Sequence, residues 1–312
     1  MRFVVTGSAG FVGSHLSRRL VADGHRVVGI DCLRDNYDVA EKKGNLAWVA
    51  AGGVIDQHDL DLSVDDLDGV VADADVVVHL AGQPGVRASW GDGLTDYTRD
   101  NIVATERLLA AAGRAGVGRV VMASSSSVYG EAVRYPCSED DLPRPHSPYG
   151  VTKLAAEHLG MAHARNEGLP VVALRYFSVY GPRQRPDMGL RKLFGAVRTG
   201  EPFPRYGDGS QVRDLTYVGD VVDATLLAGT AEVAAGTVLN VAGGSQVSLA
   251  ELIGRVEALT GHPIAIDQRP IQPGDVTRTG GDTARIRDLL GWVPATDLDA
   301  GLAAMADWAL GP

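Results

Sequence analysis

Tyr149 and Lys153 have the spacing at which two side chains on one helix can act on the same reacting group. Positions four apart lie on one helical face, about one turn from each other, so the phenol and the ammonium converge. Four serines, Ser124 to Ser127, end the strand predicted before this helix. A hydroxyl beside the phenol can share the proton of a reacting alcohol. We expect Tyr149 to be a general base whose pKa is lowered from about 10 toward neutrality by the charge of Lys153.

A glycine motif follows the first predicted strand and leads into a helix, with Gly7, Gly10 and Gly13 as its glycines. These positions allow a tight turn, close approach of the backbone to a pyrophosphate, and close packing of the helix on the sheet. Asp31 ends the second predicted strand, where a carboxylate binds ribose hydroxyls and repels a 2′-phosphate. The motif therefore predicts NAD rather than NADP, although Arg34 could accommodate a 2′-phosphate. The positive nicotinamide would add to the effect of lysine on the phenol.

Two further strand ends are candidates for the same site, because open α/β sheets bind ligands at the carboxyl ends of their strands. Asp59 and Leu60 follow a presumed third strand, and Leu80-Ala81-Gly82 end the strand after it, which is predicted at 75–80. Asp59 is alternatively an ordinary loop carboxylate among several. Asn101, expected to begin a helix, is alternatively a simple helix residue.

Strands and helices alternate along most of the chain, which favours a parallel sheet covered by helices on both faces. After about residue 180 the alternation lapses. We predict an α/β fold, a Rossmann-like doubly wound parallel sheet with a smaller C-terminal substrate-binding subdomain. Residues 1–178, with a returning strand near 238–241, form the NAD-binding domain, and 179–312 are mainly the subdomain. The predicted strands are 3–6, 26–31, 75–80, 119–124, 171–176 and 238–241, and the predicted helices are 11–23, 101–115 and 148–166, the last capped by Ser147.

Composition excludes several classes of protein. The chain has 312 residues, a net charge of −10 and two cysteines. Its charge has the wrong sign for a general binder of nucleic acid or anionic membranes. Two cysteines cannot form a disulfide framework or a thiolate zinc site, and no metal is expected. No apolar run is long enough to span a membrane, and the N-terminus lacks an export signal. We expect a cytoplasmic protein.

Several motifs together resemble those of the extended short-chain dehydrogenase/reductase family, which includes the NAD-dependent epimerases and dehydratases. The resemblance covers essentially the whole chain. Within the family the chain is most similar to the UDP-glucuronate 4-epimerases, through 35–38 with Lys42, 81–87, 185–188 and 272–276. The family motifs are the glycine turn, His79-Leu80-Ala81-Gly82, Val128-Tyr129-Gly130 after the serines, Tyr149-x-x-x-Lys153, and the run from Arg175 to Pro182.

The resemblance implies a reaction. Tyr149 takes the proton of the sugar 4-hydroxyl, Ser125 hydrogen-bonds that oxygen, and Lys153 holds the cofactor ribose and tunes Tyr149. C4 gives its hydride to NAD, and the 4-keto sugar takes it back on its other face. The cofactor residues that this implies are Gly7, Gly10, Phe11, Val12, Asp31, Lys42, Asp59, Leu60, Leu80, Ala81, Gly82, Asn101, Ser124, Tyr149, Lys153 and Tyr176.

For the substrate, the resemblance implies that Arg213 binds a diphosphate and Asp275 a uridine ribose. A guanidinium is the natural bidentate partner of phosphate, although Arg213 is alternatively a solvated loop residue. Arg191, Arg269 and Arg278 are further candidates, each of which is alternatively plain surface charge. The other expected substrate residues are Pro84, Gly85, Arg87, Ser125, Ser126, Ser127, Tyr149, Ser178 and Arg185.

The expected substrate is UDP-glucuronate, converted to UDP-galacturonate. Ser126, Ser127 and Ser178 can hydrogen-bond a sugar carboxylate, whereas an acid there would repel it. The same serines can bind a neutral hydroxymethyl group, so UDP-glucose or UDP-N-acetylglucosamine epimerisation stays open, followed by UDP-glucuronate decarboxylation and sugar-nucleotide dehydration. A redox-sensing regulator of this fold would not need the complete Ser, Tyr and Lys set. The small-residue helices 101–115 and 148–166 suggest a homodimer, although packing on the sheet explains the same pattern.

Overall fold

A computed structural model describes residues 1–311 of the protein. Its strands are β1 (Arg2–Thr6), β2 (Arg26–Ile30), β3 (Asp56–His58), β4 (Val76–His79), β5 (Arg119–Ser125), β6 (Val171–Tyr176), β7 (Val179–Tyr180), β8 (Phe203–Tyr206), β9 (Val212–Tyr217), β10 (Thr237–Val241), β11 (Ser245–Ser248) and β12 (Ile266–Arg269). Its α-helices are α1 (Phe11–Ala22), α2 (Val39–Ala50), α3 (Asp68–Val71), α4 (Leu94–Thr98), α5 (Ala104–Ala115), α6 (Pro148–Glu167), α7 (Gly189–Thr199), α8 (Val218–Thr230), α9 (Leu249–Thr260), α10 (Ala284–Leu290) and α11 (Leu298–Leu310).

The main sheet has seven strands in the order β10-β6-β5-β4-β1-β2-β3, and every neighbouring pair is parallel. The chain runs outward from β1 to β3, crosses to β4, and runs outward again on the other side. This is the doubly wound arrangement, and the switch point between β1 and β4 is where such sheets bind dinucleotides. The predicted fold class and the returning strand near 238–241 are confirmed.

Both faces of this sheet are buried, as its strands of consecutive valines require. One face packs against α5 and α6 through side chains such as Val4, Val77 and Leu108. The other packs against α1 and α8 through side chains such as Val5, Leu16 and Val221. The sheet is therefore rigid, and the loops at the carboxyl ends of its strands are held in fixed positions.

The later part of the chain has a hydrophobic core of its own. Phe194, Val256 and Met305 are buried there between α7, α9 and α11. Two small sheets accompany this core, β11-β9-β7 and β12-β8. A boundary at residue 178 stays a prediction, and Pro312, the last residue of the predicted subdomain, lies outside the described residues.

One predicted helix begins earlier than expected. The segment predicted to start at Asn101 starts at Leu94, and Asn101 lies in a π-helical turn, Arg99–Val103, between α4 and α5. A π-turn inserts one extra residue and is frequent at functional sites, which simple helical periodicity does not reveal. The predicted cap of α6 is confirmed, since the Ser147 hydroxyl accepts a hydrogen bond from the Gly150 N–H at 3.1 Å.

Among residues 1–311, no helix is both long enough and apolar enough to traverse a membrane.

Candidate active site

A cleft of about 440 Å³ opens at the carboxyl ends of β1, β2, β4, β5 and β6. It runs from the glycine turn, past the ends of β5 and β6, to the loop before α7. The predicted cofactor and catalytic residues line it except for Asp59, and the predicted substrate residues line it except for Arg87, Arg213 and Asp275. The lining includes Gly7, Gly10, Phe11, Val12, Asp31, Lys42, Leu60, Leu80, Ala81, Gly82, Asn101, Ser124, Ser125, Tyr149, Lys153 and Tyr176.

The glycine turn is packed so closely that side chains would not fit. Gly7 has a φ of +71°, and a Cβ there would lie 2.8 Å from the Ala81 nitrogen. A Cβ on Gly13 would lie 2.0 Å from the Gly7 carbonyl oxygen. The first helix therefore approaches the end of β1 at a distance that only glycines permit, and its N-terminus faces the cleft.

Asp31 is held by the backbone around it. The Ala9 N–H donates to one carboxylate oxygen at 3.1 Å and the Leu33 N–H to the other at 2.8 Å. Burial raises the pKa of Asp31, while these two hydrogen bonds and the charge of Lys42 act in the opposite direction. Each oxygen keeps a lone pair that can accept a ligand hydroxyl.

Arg34, the residue that could accommodate a 2′-phosphate, is already paired. Its guanidinium lies 2.8 Å from a carboxylate oxygen of Asp61 and 3.1 Å from one of Asp100. Asp61 lines the cleft beside Leu60, whereas Asp59 is exposed and is not among the lining residues. The predicted cofactor contact of Asp59 therefore stays a prediction.

Lys42 lies in the cleft with its ammonium facing the 34–36 loop. It donates to the Arg34 carbonyl and to the Asn36 side-chain oxygen, the latter at 2.8 Å, and it lies 4.6 Å from the centre of the Tyr37 ring. Burial lowers the pKa of Lys42. The loop after β2 is therefore tied to α2 at the edge of the site.

Asn101 holds the loop after β4 in place. Its side-chain oxygen accepts from the Gln83 N–H at 2.7 Å, and its amide nitrogen donates to the Gln83 carbonyl and to Thr152 on α6, each at 3.0 Å. A Cβ on Gly82 would lie 2.6 Å from the Asn101 oxygen. Both polar atoms of the amide are thus committed to protein groups, so Asn101 shapes the cleft more than it offers free donors to a ligand.

Ser124, Ser125, Tyr149 and Lys153 meet in the middle of the cleft. The Ser125 hydroxyl accepts from the Ser127 N–H at 3.1 Å and also lowers the pKa of Tyr149. The Tyr149 ring packs edge-on against Tyr97, with ring centres 6.1 Å apart. The arrangement matches the predicted base with a hydroxyl beside it.

The protein's own groups do not lower the pKa of Tyr149 as expected. Burial raises it, and Ser125 and the charge of Arg185 offset this only in part. Burial also lowers the pKa of Lys153 to about 8, against the charge of Glu157. The expected decrease in the pKa came from the neighbouring charge alone. Desolvation of the phenol in the cleft acts in the opposite direction.

Tyr176 lines the cleft from the end of β6, with its hydroxyl 2.8 Å from that of Thr225 on α8. Its ring is thereby fixed as a wall of the site, and burial raises the pKa of its phenol.

A second cavity of about 200 Å³ adjoins the cleft on the subdomain side. Ser126, Ser127 and Ser178 line both spaces. The smaller cavity also contains Arg213, Asp275 and His146. Ser126, Ser127 and Ser178 therefore lie between the part of the cleft with Tyr149 and a cavity that holds an arginine.

Arg213 is the clearest candidate for an anion ligand. Burial lowers its pKa, and its guanidinium donates to the Val212 carbonyl at 2.9 Å. Within residues 1–311 no carboxylate lies within 4.0 Å of it. A half-buried guanidinium without an ion pair is well placed to bind an anion.

The loop after β4 separates the cleft from the second cavity. The Tyr97 hydroxyl lies 2.7 Å from the carbonyl oxygens of Pro84 and Gly85, which both line the cleft. Arg87 does not line it: its guanidinium lies 2.8 Å from an Asp275 oxygen and 3.9 Å from the centre of the Tyr206 ring. Arg87 therefore bridges two loops at the second cavity.

Arg185 lines the cleft as predicted, but it already has a counter-charge. Two of its nitrogens donate to the two carboxylate oxygens of Asp187, at 2.9 and 2.8 Å. Asp187 also lines the cleft, and although burial opposes it, the Arg185 pair lowers its pKa. The sequence analysis missed this carboxylate, for which the two-residue spacing was the available signal.

Three further arginines line neither cavity. Arg191 stacks on Trp308, Arg269 pairs with Asp267, and Arg278 lies over Tyr135. These positions fit the alternative given in the sequence analysis, in which the three arginines are surface charge.

Comparison with known proteins identifies the family. The sequence model of the NAD dependent epimerase/dehydratase family matches residues 3–242. The chain is similar to a UDP-glucuronic acid 4-epimerase from Bacillus cereus, solved with UDP-glucuronic acid and NAD, at 38% identity and a TM-score of 0.96 over 99% of each chain.

Two further relatives cover a range of substrates. MoeE5, solved with UDP-glucuronic acid and NAD, is 44% identical, with a TM-score of 0.90 over 99% of this chain and 98% of that one; it was also solved with UDP-glucose and NAD. A UDP-glucose 4-epimerase from Mycolicibacterium smegmatis is 38% identical over 99% of this chain and 98% of its own. The predicted resemblance and the NAD dependence of the family are confirmed. The chain belongs to the NAD dependent epimerase/dehydratase family.

Proposed function

We propose that the protein is an NAD-dependent epimerase that inverts C4 of a UDP-hexuronic acid, converting UDP-glucuronate and UDP-galacturonate into each other. The observation that carries this proposal is the position of Ser126, Ser127 and Ser178, which line both the catalytic cleft and the cavity of Arg213. If the diphosphate lies at Arg213 and C4 of the sugar faces Tyr149, the sugar ring lies next to these three serines.

The residues of the cleft fit a dinucleotide. The turn at Gly7, Gly10 and Gly13 leaves room for a pyrophosphate against the start of α1. Asp31 would accept the adenosine ribose hydroxyls, and the pairing of Arg34 with two carboxylates leaves no free guanidinium there for a 2′-phosphate. Lys153 would hold the ribose next to the nicotinamide. Bound NAD supplies an acceptor for the C4 hydride, and its reduced form returns it.

The chain's own residues control the proton and the orientation. Tyr149 takes the proton of the 4-hydroxyl while Ser125 hydrogen-bonds the same oxygen. Because burial raises the pKa of Tyr149, the positive charges at Lys153 and at the bound nicotinamide must favour the phenolate. Arg213 holds the diphosphate while the 4-keto sugar turns over.

The serines favour a carboxylate at C5 without adding charge. Three hydroxyls can donate to a carboxylate and hold it near the plane of the sugar, which keeps its C–C bond out of the alignment for loss of carbon dioxide. Epimerisation is therefore favoured over decarboxylation.

UDP-glucose is the second candidate substrate, because Arg185 is already neutralised by Asp187. A neutral hydroxymethyl group can bind while Arg185 stays paired with Asp187. A sugar carboxylate would either have to replace Asp187 at Arg185 or lie close to the negative charge of Asp187. The similarity to a UDP-glucose 4-epimerase also supports this candidate.

Purified protein incubated with UDP-glucuronate, UDP-glucose and UDP-N-acetylglucosamine, with chromatographic separation of the products, tests the proposal. We expect UDP-galacturonate to form fastest. Equal turnover of UDP-glucose would favour the second candidate, and a UDP-pentose as main product would identify a decarboxylase.

We also propose that the protein is a cytoplasmic homodimer. Leu94 on α4, Val103 before α5 and Val151 on α6 are exposed apolar side chains near the helices predicted to pair. Light scattering after size exclusion should give twice the chain mass, and Val151→Glu should give the monomer.

A further inference from the structure

A buried network lies directly beneath the catalytic residues. Glu157 and Arg175 are 3% and 4% exposed. Two nitrogens of Arg175 donate to the two oxygens of Glu157, at 2.6 and 3.0 Å. The Ser124 hydroxyl donates to the same carboxylate at 2.6 Å.

The register of the sheet brings this network together. Ser124 on β5 lies beside Arg175 on β6, which lies beside Asn240 on β10. Arg175 also donates to the Tyr129 hydroxyl at 2.8 Å, and that hydroxyl donates to the Asn240 oxygen at 2.7 Å. The row thus crosses three strands, one position before the strand ends that form the cleft.

Glu157 connects this row to the catalytic helix. It lies four residues after Lys153 and eight after Tyr149 on α6, so all three share one helical face. A buried ion pair is weak evidence for stability, because well-packed apolar residues often serve equally well. A charged pair at this position therefore needs a reason beyond stability.

We propose that Glu157, clamped by Arg175, is a positioning residue that holds the Ser124 hydroxyl and places a negative charge one helical turn from Lys153 at the cofactor end of the cleft. The inference deepens the proposed function and rests on the role given there to Lys153. It names a residue outside the cleft lining whose effect reaches the reaction through two residues that do line it.

Charge gives the network a measurable signature. The charge of Glu157, on the same helix, raises the pKa of Lys153. Burial and then the charge of Lys153 lower the pKa of His79 on β4 to about 3, so His79 stays neutral. Burial lowers the pKa of Lys153 to about 8. Without the Glu157 carboxylate, that pKa falls further and the ammonium loses its proton at a lower pH.

The test uses two variants that lack the carboxylate. Glu157→Gln keeps the shape of the side chain. The double variant Glu157→Gln/Arg175→Met also removes the arginine that would be left unpaired, and it serves if the single variant folds poorly. Glu157→Asp keeps the charge. Asp220→Asn is the matched control. Asp220 is also a buried carboxylate, 3% exposed, and it accepts hydrogen bonds from two backbone N–H groups, but it does not line the cleft.

For both variants that lack the carboxylate we expect kcat to fall about fivefold more at pH 8 than at pH 6, as a decrease of about one pKa unit in a lysine near 8 requires. The affinity for NAD should show the same pH dependence, whatever the sugar substrate is. Glu157→Asp and Asp220→Asn should keep the wild-type profile. A double variant with the wild-type profile in both measurements would overturn the inference, as would the same shift in Asp220→Asn. A wild-type protein that binds NAD but converts no UDP-sugar would overturn the proposed function alone.

Discussion

The two ends of the cleft are built from different kinds of interaction. At the cofactor end, backbone groups do the positioning: two N–H groups hold Asp31, and glycines let α1 approach the sheet. At the sugar end, side chains pair with each other, either across two loops, as Arg87 with Asp275, or within one loop, as Arg185 with Asp187.

This difference bears on how each end binds its ligand. Backbone groups fixed by a buried sheet are ready before a ligand arrives and lose little freedom when it binds. A side chain that is already paired within the protein must exchange its protein partner for the ligand. Only the free-energy difference between these two interactions then contributes to affinity. We therefore expect the cofactor end to be preorganised for its nucleotide and the sugar end to determine which sugar is bound.

The largest effect should come from the residues between the two ends. Tyr149→Phe should reduce turnover by about 10² to 10⁴, the range typical of a lost general base. Lys153→Met should act similarly, because it removes the charge that favours the phenolate. Steady-state kinetics with the preferred UDP-sugar measures both effects.

Bound NAD and the melting temperature are the controls for these two variants. Both changes nearly conserve volume, so the fold should be kept. Near-normal turnover of Tyr149→Phe at unchanged NAD content would remove Tyr149 from the mechanism.

A smaller effect, confined to the sugar end, is expected for Arg213→Met. Loss of a charged hydrogen-bonding partner should weaken UDP binding about 10- to 100-fold. Calorimetric titration with UDP measures this, and NAD affinity should not change. Arg269→Met is the matched control, since Arg269 lines neither cavity. Equal UDP affinity in the two variants would show that the diphosphate binds elsewhere.

At the cofactor end, Asp31→Asn should change the choice of nucleotide more than the fold. Removing the carboxylate removes a repulsion of about 2 kcal/mol toward a 2′-phosphate at an effective dielectric constant near 20. The ratio of the dissociation constants of NADP and NAD should fall by about tenfold or more, while the wild-type protein yields NAD on extraction. NADP in most wild-type molecules would contradict the assignment of Asp31.

The comparison also explains which features the sequence could predict. The sheet, the returning strand and the glycine turn depend on local patterns, namely runs of valine and glycines at fixed spacing, and the structure has them. The pairing of Arg87 with Asp275 depends on where loops far apart in sequence meet. No local pattern carries that information.

Desolvation was the other quantity beyond reach of the sequence. The direction of the Tyr149 pKa depends on how completely the phenol is enclosed, and enclosure is a property of the packed molecule. The π-turn at Asn101 also depends on the packed molecule. The contacts of the Asn101 side chain with Gln83 and Thr152 stabilise a local geometry that helical periodicity does not predict.

The smallest effect should arise away from both ends, where His163 on α6 lies between Glu167 at 2.9 Å and Glu106 of α5 at 3.1 Å. Burial lowers the pKa of His163, but the hydrogen bonds to the two carboxylates outweigh it and raise the pKa above its usual value. A raised pKa in the folded state means that the stabilisation is fully present below the unfolded pKa, near 6.5, and is lost as the pH rises through the folded value.

His163→Gln should therefore reduce the free energy of unfolding more at pH 5.5 than at pH 8.5. We expect the difference between the two pH values to be about 0.5 to 1 kcal/mol, because both carboxylates are half exposed and screened by solvent. Urea denaturation at the two pH values measures it, with His262→Gln, an exposed histidine, as the control. Since His163 lines neither cavity, NAD affinity and the KM for the sugar should stay unchanged. A change in either of them would mean that the helices behind the cleft also set its geometry, and the division into two independent ends would have to be given up.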